Sequence, residues 1–217
     1  MKKIPILLIL VNILLVSPSF AFENGDLQFW NTESIEKKVN DKLKIKVEEE
    51  LRMDGDMSVL YYEHTDLGVT YNVTKGLDLG LDYRQIYEKK AGRWKEENRP
   101  YGEVTLKEAW QNIEIADRNR LELRCGEGSS PKWRYRNKFS VFSPWKLTKF
   151  HIKPYAADEV FVDFYGDQLT RNRLYLGLKA KWLKQLKTDV FYLWELNKNK
   201  KKWPYNNVIG LKIKVVF

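Results

Sequence analysis

Two histidines, His64 and His151, carry the side chains best suited to proton transfer near neutral pH. His64 lies in Tyr61-Tyr-Glu-His-Thr-Asp66, beside Glu63 and Asp66 and downstream of Ser58; His151 lies in Phe150-His-Ile-Lys153. A histidine with a serine and a carboxylate is the set a lipid hydrolase or acyltransferase needs. Neither spacing matches a catalytic pattern, and each imidazole reads more simply as a surface or hydrogen-bonded group, so no catalytic residue is assigned. Cys125 is alone, which rules out an internal disulfide, and two histidines without a cysteine pair argue against a transition-metal site. Asp54-Gly55-Asp56 could touch calcium but reads as a loop turn. No pattern implies a cofactor.

A larger set is ionic. Glu48, Glu50, Arg52, Asp78, Asp82, Arg84, Arg118, Arg120, Glu122, Arg124, Arg134, Arg136, Glu159, Asp163, Arg171, Arg173, Asp189 and Glu195 fall mostly at alternate positions within their segments. In strands, alternate residues share a face. So many charges inside a narrow barrel must pair with one another or stay hydrated, because an unpaired buried charge is costly. Arginine suits this, since its planar fork bridges several carboxylates. The set therefore reads as a salt-bridged plug, or as an arginine-lined constriction that passes or binds an anion.

The elements that would position these residues repeat with period two. In the last segment Ile209, Leu211, Ile213, Val215 and Phe217 take one face, and Val208, Gly210, Lys212, Lys214 and Val216 the other. Leu43, Ile45, Val47 and Leu51 oppose Lys44, Lys46, Glu48, Glu50 and Arg52, with Glu49 an exception on the apolar face. Leu67 to Val73 and Leu77 to Tyr83 flank Lys75-Gly76 as a hairpin, with glycines on the polar face. Later segments follow suit: Leu121 and Leu123 oppose Arg118 to Arg124, Trp133 to Val141 oppose Arg134 and Arg136, and Leu174 to Trp182 oppose Arg171 and Arg173. Short connections near 39–42, 74–76, 110–112, 144–148 and 183–186 alternate with longer ones near 54–62, 88–100, 126–131, 165–170 and 197–205. This predicts an all-β, antiparallel transmembrane-type barrel of about 10–12 strands, with tight turns at one end and longer loops at the other. About ten strands are clear. Asp26 to Lys38 is irregular, and an even strand count leaves its place open.

Met1 to Ala21 has the layout of a secretory signal: Lys2 and Lys3, an apolar run from Ile4 to Val16, and Ser19-Phe20-Ala21 before an expected cleavage. The expected division is a signal over 1–21 and one barrel domain over 22–217. Without Lys2 and Lys3 the net charge of +9 becomes +7. A chain with 31% charged residues can still cross a membrane as a barrel, because only alternate residues must be apolar. The 14% aromatic content suits interfacial girdles. The expected location is the bacterial outer membrane. Expected partners are its lipids and lipopolysaccharide, which Lys198, Lys200, Lys201 and Lys202 could contact, and the barrel-assembly machinery, through the C-terminal strand and its closing Phe217. Basic residues alternate with apolar ones and form no stripe, so nucleic acid is not expected.

Seven short motifs, in order, resemble the bacterial domain-of-unknown-function family 2490, a set of predicted outer-membrane proteins. They are Glu48-Glu-Glu-Leu-Arg52, Asp66-Leu-Gly-Val-Thr-Tyr71, Leu81-Asp-Tyr-Arg84, Asn98-Arg-Pro100, Arg118-Asn-Arg-Leu-Glu-Leu-Arg124, Arg134-Tyr-Arg136 and Asn172-Arg-Leu-Tyr-Leu-Gly177. The resemblance implies an outer-membrane barrel and supplies neither an activity nor catalytic residues.

Overall fold

The computed structural model describes residues 25–145, 147–166, 168–199 and 202–217. The signal expected over 1–21, and Lys200 and Lys201 of the lysine run, lie outside them. Eleven strands follow in order: β1 (Leu27–Lys38), β2 (Leu43–Asp54), β3 (Val59–Thr74), β4 (Leu77–Lys90), β5 (Arg93–Trp110), β6 (Ile113–Gly126), β7 (Lys132–Phe142), β8 (Lys153–Asp163), β9 (Gln168–Lys181), β10 (Leu186–Asn197) and β11 (Tyr205–Val216). Each pairs with the next, and β1 pairs with β11, closing a barrel.

The irregular first segment is part of the wall. Eleven alternating strands leave the first and last pointing the same way, so β1 and β11 join in parallel, from Leu27 against Asn207 to Glu36 against Val216. All other neighbours are antiparallel. At the short-turn rim the Phe217 amide donates to the Glu36 carbonyl at 2.9 Å, and the Lys38 amide donates to the Phe217 carbonyl at 3.0 Å.

One expected loop is strand instead. Residues 88–100 form the end of β4 and the start of β5, joined by Ala91-Gly92 with φ of 49° and 78°. A strand that rises past the apolar band has no need of a greasy face, so its alternation is of charges and is easily read as loop. The register still runs unbroken from Lys90 against Arg93 to Arg84 against Arg99.

Apolar side chains point outward and ionic ones inward. Leu81 and Leu176 are 71% and 64% exposed, whereas Glu122 and Glu159 are 0% and 1% exposed. A water-soluble barrel would have the opposite sense. Inside, Trp30, Tyr155, Tyr175, Phe191, Leu193 and Val208 form an apolar slab along β1 and β8–β11. Trp30 explains the irregularity of β1: it turns inward between polar Gln28 and Thr32. Inward glycines make room for the slab. A Cβ on Gly177 would run into the Tyr155 ring, and one on Gly210 into the Phe191 ring.

The outward face is interrupted by a polar belt. Glu49, Thr65, Gln85 and Asn98 are successive register partners on β2–β5. Asn119 faces Asn137 on β6 and β7. These groups satisfy one another: Thr65 donates to Glu49 at 2.6 Å, Asn98 to Glu96 at 2.9 Å, Asn137 to Asp117 at 2.5 Å and Asn172 to Asp158 at 2.7 Å. Glu49, the exception in the pattern of β2, belongs to this belt.

Candidate functional site: an ionic septum between two cationic chambers

The inward carboxylates and guanidinium groups meet at mid-height. Arg136 donates to Glu122 through Nη1 and to Glu159 through Nη2, each at 2.7 Å. Arg118 and the Tyr175 hydroxyl complete the Glu159 shell at 2.8 and 2.9 Å. Glu122 has Arg99 at 3.5 Å and Arg120 at 3.6 Å, and Arg120 itself forks onto Glu103. Two buried carboxylates are thus shared among four arginines on β5, β6 and β7, with a fifth, Arg173 of β9, 3.8 Å from Glu159. Multiple charge-assisted bonds are what a buried ion requires to offset its lost hydration.

The β2–β5 side continues the septum. Arg84 donates to Asp66 at 2.7 and 2.9 Å, and the Tyr101 hydroxyl reaches the same oxygen at 2.5 Å. Arg52 pairs with Glu50, which also accepts from Thr32 at 2.9 Å. The Arg52 guanidinium lies 3.7 Å from the Trp30 ring centre, and Arg173 lies 4.7 Å from the same ring. Lys46 sits between Asp82 at 3.5 Å and Glu48 at 3.9 Å. Towards the long-loop rim Arg124 forks onto Glu97, Arg134 onto Asp163, and Arg173 and Arg171 reach Glu195 at 2.6 and 3.6 Å.

Every residue that alternation assigns to the ionic set on these strands faces the lumen in this arrangement. Alternation does not find the partners from β5, because Glu97, Arg99, Tyr101 and Glu103 fall in or beside the stretch read as loop. It also misses the inward rings, whose faces carry guanidinium groups.

His64 does not meet the serine and the adjacent carboxylate of its own segment. His64 is 1% exposed, 3.7 Å from both Glu48 and Glu50, with its ring edge-on to Tyr62. Ser58 is bound to the Gly55 carbonyl in the β2–β3 turn. Six residues of strand, ~20 Å, separate it from His64, and Glu63 takes the opposite face of β3. Glu48, His64 and Asp66 do place one ligand atom each within 4.8 Å of one another. Arg84 and Lys46 already neutralise those carboxylates, which does not fit a cation there. His151 lies in the β7–β8 connection with φ of 49°.

The septum divides the lumen in two. Towards the long loops lies a cavity of about 540 Å³ lined by arginines, among them Arg52, Arg99, Arg124, Arg134 and Arg171. Each of its arginines has a carboxylate within 3.6 Å. Towards the short turns lies a cavity of about 880 Å³ lined by lysines.

The profile of a family described as "Protein of unknown function (DUF2490)" matches residues 27–206. A comparison with curated proteins returned no match. Among solved structures the chain is similar to LpxR from Salmonella typhimurium, at 8% identity, with 85% of this chain and 87% of that chain covered and a TM-score of 0.52. At that identity the likeness is one of fold.

Proposed function

From the premise that the chain belongs to the DUF2490 family, we propose that it is an outer-membrane barrel whose lumen is closed by the ionic septum, a structural barrel and not a conducting pore. The observation that carries this is the sharing of buried Glu122 and Glu159 by arginines from β5, β6, β7 and β9. Ions would have to break several charge-assisted bonds in a confined space to pass. The location is supported by the outward apolar faces and by strands of 11–18 residues, each at least as long as the ~9–11 needed to cross a bilayer. Trp203 and Tyr205, at the long-loop rim, suit a headgroup layer, and Lys198 beside them suits lipopolysaccharide phosphates. The exposure of Phe217, 58% at the short-turn rim, supports the reading that the assembly machinery recognises it.

Two alternatives fare worse. For a lipid-modifying enzyme, no hydrogen bond joins a histidine to a serine hydroxyl among the described residues, and both ring nitrogens of His64 are without a hydrogen-bond partner. A soluble lipid-binding barrel would need an apolar cavity, and both chambers are cationic.

The test is conductance of the refolded protein in a planar bilayer. The expected trace is silent. Discrete, ohmic steps would replace the closed barrel with the narrow charged pore.

A further inference from the structure

The two chambers differ in one respect that bears on binding. In the arginine chamber every guanidinium is already paired. In the lysine chamber eight cationic side chains, seven lysines and Arg118, face three carboxylates, Glu48, Glu114 and Asp189. Lys153 takes Glu114 at 2.6 Å, Lys214 takes Glu36 at 3.3 Å, and Arg118 takes Glu159. Lys138, Lys179, Lys187 and Lys212 make no ion pair among the described residues. Three of these four ammonium groups lie over rings instead: Lys138 is 3.4 Å from the Tyr175 centre, Lys179 4.5 Å from Phe142 and Lys212 5.6 Å from Phe191. Asp189 is the direct register partner of both Lys179 and Lys212, one carboxylate between two lysines, and it also accepts from the Tyr155 hydroxyl at 3.2 Å.

The register makes this excess costly in an empty barrel. Lys187 is directly opposite Lys181 on one side and Lys214 on the other, and Lys179 is directly opposite Lys153. Like charges opposed across a sheet repel. The wall separates these inward groups from the bilayer, so lipid headgroups outside cannot screen them. A compact anion with several charges would convert the repulsion into attraction, and the cavity is of ligand size.

We propose that the lysine chamber at the short-turn end is a binding site for a phosphate-class, multivalent oxyanion that enters from that end. Lys179, Lys187 and Lys212 hold it, Lys138 lies deepest, and the septum is its floor. The occupancy does not depend on whether the lumen conducts.

The test is calorimetric titration of the detergent-refolded barrel with inorganic tripolyphosphate, at low salt and at ~0.3 M salt. Saturable binding is expected, weaker at the higher salt. Lys179→Gln and Lys212→Gln should each weaken it by about tenfold, the loss of one close charge contact. Lys187→Gln, at the exposed mouth, gives the same reading with the least risk to folding. Lys75→Gln removes an equal charge from the β3–β4 turn at the same end and should leave affinity unchanged. Competition with dioctanoyl phosphatidate separates the two sources of the phosphate group: displacement assigns the site to a lipid phosphate, and its absence to a soluble phosphate. No saturable heat, or equal losses in Lys75→Gln and Lys187→Gln, would overturn the site.

Discussion

Glu159 on β8 and Arg118 on β6 meet at 2.8 Å across the intervening strand β7. A pair that skips a strand ties the wall to itself through the lumen, which neighbouring ladder bonds cannot do. Its removal is felt twice, because Arg136 and Tyr175 also converge on Glu159.

Glu159→Gln should lower the stability of the refolded barrel by about 3–5 kcal/mol, the usual loss when one member of a buried ionic group is removed. Arg118→Gln should cost less, since Arg118 is 28% exposed and can be replaced by water. Urea unfolding in vesicles gives both values. Equal midpoints for Glu159→Gln and the parent would mean the septum holds nothing together.

Gly210→Val should destabilise by about 1–3 kcal/mol through overpacking against Phe191. A second change, Phe191→Ala, should recover part of that loss in Gly210→Val although it is harmful alone. Additive losses in the double-mutant cycle would contradict the close seating of the ring over the glycine.

The polar belt marks the edge of the hydrocarbon contact if the wall sits in a bilayer. Leu176→Arg, in the apolar band, should cost about 2–4 kcal/mol, and Gln85→Arg, on the belt, about 0–1 kcal/mol. Equilibrium unfolding in vesicles compares them. Similar costs at both depths would detach the belt from the membrane boundary.

The parallel seam can be trapped chemically. In a Cys125→Ser background, Glu33→Cys with Ile213→Cys joins register partners of β1 and β11, and mild oxidation should close a bond that shifts gel mobility. Glu33→Cys with Val208→Cys should stay open. Cross-linking in the second pair and not the first would place β1 elsewhere.

Phe217→Ala removes a ring but not the backbone bonds that Phe217 makes at the seam. The variant should refold in detergent like the parent, while less of it reaches the membrane fraction in cells. Unimpaired delivery would separate the aromatic terminus from assembly.

Much of the wall is legible in the sequence because one rule governs it. Where a strand has one face toward an apolar medium and one toward charges, parity alone assigns both, as in Leu43 to Arg52 or Leu174 to Lys181. Parity weakens where both faces are polar, at Glu88 to Pro100, and where an inward position carries an aromatic ring, at Trp30. The pairing of strands far apart in the chain has no local signal, so the place of β1 is fixed only by closure of the ring. The same holds for the ion pairs: the sequence marks Glu159 as inward but does not say that a strand two places away supplies its arginine. The lysines of the lower chamber are visible as alternate residues in β9–β11, yet their want of carboxylate partners is a property of the closed ring.

The seam has a consequence for how the protein is made. Ser34 and Ile213, in contact there, are 179 residues apart, so the first strand stays without its second neighbour until the last one has been synthesised. Contacts of such long range are slow to form. A polypeptide stalled before β11 would present two raw edges and the whole ionic interior to its surroundings, a species that proteases can tell from the finished ring. Topology thereby ties the concealment of the charges to β11: only a chain that carries it can close the ring.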